Sequence, residues 1–177
     1  MDKKELRRQI RELKRAMTNE QIDAASARLG ELFLNCPQYK QAKTIYGYLP
    51  YNQEVRTVPM LEQAMKEGKR VAVPKCYGDE MRFIYMDDLS KVEKGYANIP
   101  EPIADDPVAD DKTALVLMPG MAFTKDGKRM GYGGGFYDKF LASEPDHPTV
   151  ALCYDFQMVE DLPTEEYDIP VDCVLWA

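Results

Sequence analysis

The segment from residue 131 to residue 135 places four glycines in five positions, at Gly131, Gly133, Gly134 and Gly135. A continuous apolar run at 114–118 precedes it, and a helical pattern follows it. Glycine loses more backbone freedom on folding than any other residue, so this density indicates positive φ angles or close approach of the backbone to a ligand. We therefore predict a buried strand, a tight loop and a helix in succession, with free backbone amides that suit phosphate oxygens.

The glycines alone leave the nature of this loop open. GxxxxGK[ST] does not occur, and GxGxxG fails because position 136 is phenylalanine, so neither a standard P-loop nor a dinucleotide fingerprint is predicted. A strand-to-helix turn without a ligand is the plainer interpretation. Arg129 and Asp138, on either side, favour a phosphate site. A guanidinium forks onto phosphate, and a carboxylate in the first helical turn either caps free amides or holds Mg²⁺.

Alternating strand and helix signals predict an α/β fold with parallel strand pairing. The length of 177 residues and the 45% hydrophobic content predict a single domain, 1–177. Thr18 and Gln21 have the spacing of a capping box at the start of the second helix. The acidic, proline-containing stretch 93–111 is expected to be a surface connection. Helices are predicted at 2–17, from Thr18 to a stop at Asn35-Cys36-Pro37, at 56–67 and at 136–142, and strands at 44–49, 70–73, 81–86, 114–118, 149–152 and 172–176.

The first predicted helix is strongly basic in a chain whose net charge is −7. Leu6, Ile10, Leu13 and Met17 form its apolar stripe, and the seven basic residues between positions 3 and 15 fall mostly off that stripe. A solvated charged face is the ordinary interpretation of such a run, and an anionic ligand is the alternative. The acidic total argues against binding nucleic acid by general neutralisation of phosphates.

Cysteine and histidine content argues against several kinds of site. The four cysteines have no CxxC spacing, so neither a zinc site nor a redox dithiol is predicted. His147 is the only histidine, which argues against a histidine-based triad, and its proline-flanked position predicts an exposed loop. No stretch approaches the roughly 18 apolar residues of a membrane helix, and no apolar signal region follows the first residues. A cytoplasmic protein is expected.

Several separated motifs resemble the 5-formyltetrahydrofolate cyclo-ligase family along nearly the whole chain. The glycine loop and its flanks are the most specific part of this likeness, and shorter motifs stand before and after it in the right order. Such an order is harder to obtain by chance than one glycine loop. The motifs are Pro119-Gly120, Phe123, Gly127, Arg129 and Gly131–Asp138, with Lys3-Lys4-Glu5-Leu6-Arg7, Asn52-Gln53-Glu54-Val55, Ile99-Pro100-Glu101-Pro102, Gln157 and Asp168-Ile169-Pro170-Val171-Asp172.

The resemblance implies a three-layer α/β sandwich with a mostly parallel central sheet and helices on both faces. It implies an enzyme that uses ATP to close 5-formyltetrahydrofolate into 5,10-methenyltetrahydrofolate, with release of ADP and phosphate. The formyl oxygen is phosphorylated first and N10 then attacks, so no protein nucleophile is needed. The implied catalytic cations are Lys3, Arg7 and Arg129, which neutralise the transferred phosphoryl group. A monomer is expected.

The resemblance also assigns ligands to particular residues. Asp138 and Asp172 are implied to hold Mg²⁺, although spacing alone makes Asp172 a turn residue. Leu49 and Glu54 are implied to line the folate pocket. The residues implied to bind ATP are Lys3, Lys4, Glu5, Leu6, Arg7, Arg129, Met130, Gly131, Tyr132, Gly133, Gly134, Gly135, Phe136 and Tyr137.

A few positions depart from the family pattern. Phe136 stands where tyrosine is common, Tyr96-Ala97 replaces a usual Phe-Gly pair, and Tyr167 takes a place often held by histidine. Phe136 has no hydroxyl, so no polar role is assigned to it. Two other functions stay open. One is a non-catalytic nucleotide-binding regulatory module of the same fold. The other is a phosphosugar isomerase, which would not need ATP.

Overall fold

Five α-helices and ten β-strands form within residues 2–177, the part of the chain that the computed structural model describes. The helices are α1 Lys3–Arg15, α2 Asn19–Asn35, α3 Pro37–Gln41, α4 Val58–Lys66 and α5 Phe136–Ser143. The strands are β1 Thr44–Tyr46, β2 Arg70–Tyr77, β3 Glu80–Met86, β4 Val92–Lys94, β5 Pro100–Pro102, β6 Leu115–Met118, β7 Ala122–Phe123, β8 Arg129–Met130, β9 Thr149–Cys153 and β10 Cys173–Trp176. None of the helices described combines the length and the apolar content needed to cross a bilayer.

Six of the strands form one sheet in the order β10-β9-β6-β1-β2-β3. Neighbouring strands are parallel except β2 and β3, which run antiparallel. The chain builds outward from β1 to β3, then returns to the other side of β1 to form β6, β9 and β10. The strand order therefore reverses between β1 and β6. Ligands of open α/β sheets bind at such a reversal, beyond the carboxyl ends of the strands.

Alternate strand residues pack on opposite faces of this sheet, as its pleat requires. On one face, Ile45 and Leu115 join a core with α2, α3 and α4. On the other face, Val116 and Met118 pack with Leu141 of α5. The fold is thus a three-layer α/β sandwich with a mostly parallel sheet, and the predicted fold class is confirmed.

Helix α1 belongs to a third, smaller core. Its Ile10 packs with Met121, Ala122 and Met130, in and beside the hairpin formed by β7 and β8. That hairpin follows β6 directly, so α1 lies at the carboxyl edge of the sheet. This packing brings the basic residues of α1 to the place where the strand order reverses.

Most predicted elements form within a few residues of their expected bounds. The capping box of α2 is present, with Gln21 N donating to Thr18 Oγ1 at 3.1 Å and Thr18 N donating to Gln21 Oε1 at 2.9 Å. Strand β2 extends further than predicted, through Pro74 to Tyr77. Strand β1 pairs with it only as far as Ala72, so the missing N–H of Pro74 interrupts no pairing with β1.

The stretch 93–111, which was predicted to be a surface connection, is mostly exposed, but its first half contains regular structure that was not predicted. Strands β4 and β5 form an antiparallel hairpin in which Val92 lies opposite Pro102. Its tip carries Tyr96, whose ring centroid is 5.1 Å from that of Phe136, the first residue of α5. The hairpin therefore reaches the glycine-rich loop, which the proline and acid content did not indicate.

Burial differs from prediction at two other places. Leu13 of the predicted α1 stripe is 48% exposed, whereas Lys14 is only 8% exposed. His147 was expected on the surface and is 5% exposed. It lies against the rings of Tyr46 and Phe140, with centroid distances of 5.2 and 5.4 Å. The proline-flanked loop therefore turns its histidine into the core.

Candidate active site

A cavity of about 570 Å³ opens at the carboxyl ends of β1, β2 and β6. This volume lies within the usual range of small-molecule sites. Its walls include one face of α1, the loop after β1, the glycine-rich loop before α5, and the tip of the β4–β5 hairpin. The cavity lies where strand order reverses, so the topology and the cavity indicate the same site.

The α1 wall carries positive charge into the cavity. Lys3, Arg7, Arg11, Lys14 and Arg15 all line it. Arg7 Nε donates to the carbonyl oxygen of Gly131 at 3.2 Å, which ties the helix to the glycine-rich loop. Successive members of this set are separated by three or four residues apart from the last step. They therefore share a helical face and concentrate charge on one side of the cavity.

Not every residue of the motif at positions 3–7, which was predicted to bind ATP, reaches the cavity. Lys3 and Arg7 line it, but Lys4, Glu5 and Leu6 do not. Lys4 is exposed, and the Glu5 carboxylate pairs with Arg8 on the outer side of the helix. Leu6 packs toward the small core around Ile10. A helix presents only some of five consecutive residues to one side, and this explains the difference.

The glycine-rich loop has the backbone conformation that its composition predicts. Gly133 has φ 108° and Gly135 has φ 70°, both in the left-handed region that side chains disfavour. Gly135 is also the N-cap residue of α5, so no side chain occupies the first free amides of the helix. All predicted residues from Arg129 to Tyr137 line the cavity. The loop therefore presents backbone N–H groups at a helix N-terminus.

Arg129 links β6 to α5 beneath the loop. Its Nη1 donates to the Pro119 carbonyl at 2.8 Å, and its Nη2 donates to Asp138 Oδ2 at 3.3 Å. The side chain is 6% exposed, and its Nε is buried with no hydrogen-bond partner among the described residues. The other carboxylate oxygen, Asp138 Oδ1, accepts from Ile169 N at 3.1 Å. Arg129 therefore holds the cavity floor together.

Asp172 lies away from this cavity. It directly precedes β10, at the amino end of that strand, whereas Asp138 lines the cavity near the carboxyl ends. Asp172 Oδ2 accepts from Thr149 N at 2.9 Å, and Asp172 N donates to Thr149 Oγ1 at 2.8 Å. This reciprocal pairing is that of a turn residue. The structure does not bring the two predicted magnesium ligands together at the cavity.

Glu54, the predicted folate residue, belongs to a chain of polar side chains across the cavity wall, and the middle member of that chain, Tyr132, is exposed. Its Oε1 accepts from Tyr51 N at 2.8 Å, and its Oε2 accepts from Tyr132 Oη at 3.1 Å. Tyr132 Oη in turn accepts from Lys14 Nζ at 3.3 Å. Leu49 lies in the same wall and is 6% exposed. This wall therefore combines an apolar surface with a carboxylate acceptor, and Tyr132 connects it to the glycine-rich loop.

Burial shifts the pKa values of the two charged groups in this polar network, Glu54 and Lys14, in opposite directions. Burial raises the pKa of the Glu54 carboxyl, and the Lys14 cation opposes that shift. Burial lowers the pKa of the Lys14 ammonium, and the Glu54 carboxylate opposes that shift. Each charge therefore stabilises the other in a poorly solvated wall.

Several residues that line the cavity were not predicted as site residues. They include Lys14 and Asp168, and on the hairpin Tyr96, Ala97, Ile99, Pro100 and Glu101. Asp168 lies 4.0 Å from Lys3 Nζ. Lys14 had a usable signal, since it stands seven residues after Arg7 and so falls on the same helical face. The hairpin had no such signal, because its place depends on packing against residues far away in the chain.

Comparisons with known proteins identify the family of the chain and agree with its fold. The profile of the 5-formyltetrahydrofolate cyclo-ligase family matches residues 1–177. The 5-formyltetrahydrofolate cyclo-ligase of Escherichia coli strain K12 is 32% identical over 94% of this chain and 95% of its own length. The mouse (Mus musculus) enzyme of that name is 28% identical over 98% and 93%.

A solved structure gives the same assignment. The NMR structure of Aquifex aeolicus 5,10-methenyltetrahydrofolate synthetase has a TM-score of 0.85 and 28% identity, covering 99% of this chain and 90% of that one. The fold is also shared with a Mycoplasma pneumoniae 5,10-methenyltetrahydrofolate synthetase, with a TM-score of 0.78 and 24% identity. Because the family profile spans the whole chain and the relatives align over nearly their full length, this chain belongs to the 5-formyltetrahydrofolate cyclo-ligase family.

Proposed function

We propose that this protein is an ATP-dependent enzyme that closes 5-formyltetrahydrofolate into 5,10-methenyltetrahydrofolate. The observation that carries the proposal is the meeting of two different walls in one cavity. A glycine-rich loop at a helix N-terminus faces a basic helix, and both adjoin the wall of Leu49 and Glu54. The first wall suits a polyphosphate, and the second suits a flat, partly apolar molecule with N–H donors.

The reaction requires an oxygen atom to leave a formamide carbon. The formyl oxygen attacks the γ-phosphorus of ATP while the bond to the β–γ bridging oxygen breaks, so ADP leaves. N10 then attacks the formyl carbon, the carbon–oxygen bond breaks, and its electron pair leaves with phosphate. N10 loses its proton, and the carbon then bridges N5 and N10. Positioning and neutralisation of charge are the main tasks of the protein in phosphoryl transfer.

The nucleotide side of the site consists of the glycine-rich loop and α1. Free amides at the start of α5 and the positive end of its dipole would bind phosphate oxygens. Lys3 and Arg7 bring two cations to the same place, and Arg7 is held there by its bond to Gly131. Arg129 adds a third positive charge at the cavity floor. Together these groups would neutralise a triphosphate and hold its γ-phosphoryl group toward the folate wall.

The folate side consists of Leu49 and Glu54. Glu54 already accepts one bond at each oxygen, and a carboxylate has further lone pairs for the N–H groups of a reduced pterin. Leu49 supplies an apolar contact beside it. Glu54 would thus fix the orientation of the substrate, so that its formyl oxygen faces the phosphates.

Magnesium fits this site through one carboxylate rather than a cluster. Within residues 2–177 there is no group of three His, Cys, Asp or Glu side chains suited to a metal ion. Mg²⁺ typically takes one or two carboxylates and completes its shell with phosphates and waters, so Asp138 at the cavity suits it. A bound Mg²⁺ would neutralise charge on the phosphate oxygens. Asp138 also keeps Arg129 and the segment at Ile169 in place.

An absorbance assay tests the proposal directly. Pure protein is incubated with 5-formyltetrahydrofolate, with and without Mg-ATP, and the methenyl product is followed together with ADP. Equal amounts of both products, formed only with ATP, are expected. Absence of both from folded protein would reject the proposal. Nucleotide binding by calorimetry without turnover would instead indicate a regulatory module, and ATP-independent conversion of a sugar phosphate would indicate an isomerase.

A further inference from the structure

Lys14 is a buried cation in the wall of the cavity with no role in the scheme above. It stands in the last turn of α1, is 8% exposed, and lines the cavity. Lysine is almost never buried to this degree unless it is paired. Burying an ammonium group is costly, so its place needs an explanation.

The Lys14 ammonium group uses only part of its hydrogen-bonding capacity. An ammonium group has three N–H donors. Among the described residues one of these is used, in the bond of 3.3 Å to Tyr132 Oη. Lys14 forms no ion pair within residues 2–177. The Tyr132 hydroxyl lies between its ammonium group and the Glu54 carboxylate and is hydrogen-bonded to both. Two donors of a buried cation are therefore left for whatever enters the cavity.

The position of Lys14 indicates which part of a ligand it meets. Tyr132 stands in the glycine-rich loop, and its hydroxyl binds both Lys14 and Glu54. The ammonium thus lies at the junction of the nucleotide and folate walls. The glycine-rich loop 131–135 has no basic side chain of its own, and two nitrogens of the Arg129 guanidinium are engaged by Pro119 and Asp138. Charge at this junction must come from another element.

We propose that the Lys14 ammonium contacts the phosphoryl group during its transfer from ATP to the formyl oxygen, and that Tyr132 holds the ammonium in place for this contact. The inference rests on the proposed function. In phosphoryl transfer, negative charge is spread over the oxygens of the transferred group. A preorganised cation in a poorly solvated wall stabilises that charge more strongly than one in water. Lys14 would then act mainly in the transition state.

Kinetics of Lys14→Met test the inference, with Lys66→Met as the matched control. Methionine keeps a long unbranched side chain and removes the charge, and Lys66 is an exposed lysine on α4. For Lys14→Met we expect kcat to fall about 100-fold. KM for each substrate should change far less, because the lost contact forms mainly in the transition state. The control should match the unmodified protein.

Thermal unfolding separates this role from a structural one. The change to methionine removes the cost of burying an ammonium group but also removes the charge that stabilises the Glu54 carboxylate, so the two effects offset and Tm of Lys14→Met should change little. A structural role would lower Tm instead. A kcat unchanged from that of the unmodified protein, or a loss confined to KM for ATP, would overturn the inference.

Tyr132→Phe gives a second test that does not depend on the folding of Lys14→Met. The phenol is at the exposed rim, so its removal should leave Tm unchanged. Loss of the bond that positions the ammonium should lower kcat about ten-fold, and an unaltered kcat would count against the inference. Absence of product formation in the unmodified protein would reject the proposed function itself. An active unmodified protein with fully active Lys14→Met and Tyr132→Phe would reject only the role of Lys14.

Discussion

Polar side chains are buried at both the carboxyl edge and the amino edge of the central sheet, but their hydrogen bonding differs between the two edges. At the carboxyl edge, Lys14 leaves two N–H donors free, and Arg129 Nε is buried without a partner among the described residues. At the amino edge, Asp172 and Thr149 exchange two hydrogen bonds. His147 there has both ring nitrogens in contact with oxygens, at 2.8 Å to Ala114 and 2.9 Å to Glu144.

This difference separates a site from a structural network. An unpaired buried polar group costs roughly 1–3 kcal/mol, so one that lies at a cavity favours use by a ligand. Gln38 Oε1 and Tyr46 Oη are also buried without partners among the described residues, but neither residue lines the cavity. A closed set of hydrogen bonds contributes stability and has nothing left for a ligand. On this basis Lys14 belongs to function and His147 belongs to the fold. Asp138 has a partner at each carboxylate oxygen, and it is assigned to function by its place at the cavity, which Asp172 does not line.

The largest predicted effect distinguishes the two aspartates. Asp138→Asn should lower turnover about 100-fold or more, because it removes charge next to the proposed triphosphate. Asp172→Asn should leave turnover within a few-fold and lower the free energy of unfolding by about 1 kcal/mol through its weakened bond to Thr149. Turnover measured across a Mg²⁺ titration, with urea unfolding alongside, checks both. Equal losses of turnover that excess Mg²⁺ partly restores in both variants would place Asp172 at the metal after all.

Glu54→Gln should have the next largest effect, and it carries a pH signature. Loss of a charge-assisted hydrogen bond to the substrate should lower kcat/KM for folate about 10- to 100-fold and leave ATP binding nearly unchanged. Burial raises the pKa of the Glu54 carboxyl, so this group loses its charge at a higher pH than an ordinary glutamate. The folate kcat/KM should therefore fall as pH drops through that raised pKa. The glutamine variant should lack this acid limb, and an identical pH profile would contradict the role of Glu54.

His147→Ala tests the amino edge. It removes a ring packed against Tyr46 and Phe140 and leaves the Ala114 carbonyl without its partner. We expect the free energy of unfolding to fall by about 2–3 kcal/mol, because a buried network is broken and a gap is left. Turnover of the folded fraction should be unchanged. Lost turnover without lost stability would mean that the amino edge also serves the reaction.

The local features of the fold could be predicted from the sequence. The capping box at Thr18, the positive φ angles of the glycine-rich loop and the strand–helix alternation depend on nearby residues, and all three are present. The candidate residues that line the cavity were also recognisable as family motifs. Lys3, Arg7 and Glu54 all reach the cavity.

The features that failed depend on contacts between distant parts of the chain. Spacing could not show that Asp172 turns toward Thr149, because their pairing requires β9 and β10 to lie side by side. Burial of His147 depends on the rings of Tyr46 and Phe140, from two other elements. Lys14 looked like one of seven basic residues on a solvated helix, and only the packing of α1 on the β7–β8 hairpin buries it.

The smallest predicted effect concerns backbone strain, which is found at residues that line the cavity. Within residues 2–177 the non-glycine residues with positive φ are Asn52, Ala97 and Asn98. Asn52 and Ala97 line the cavity. Asparagine tolerates this conformation, whereas alanine at φ 54° suffers the clash of its Cβ with the backbone.

Ala97→Gly should therefore stabilise the protein by about 1 kcal/mol, since relief of the left-handed strain exceeds the entropy gained by the unfolded chain. Urea unfolding measures the change, with Ala104→Gly as the control. Ala104 is exposed and is not among the residues with positive φ, so glycine there should instead cost about 0.4–1 kcal/mol. A loss of stability at both positions would show that the hairpin tip carries no strain in solution. Backbone strain would then not distinguish the carboxyl edge from the amino edge, and their different hydrogen bonding would be the remaining difference between them.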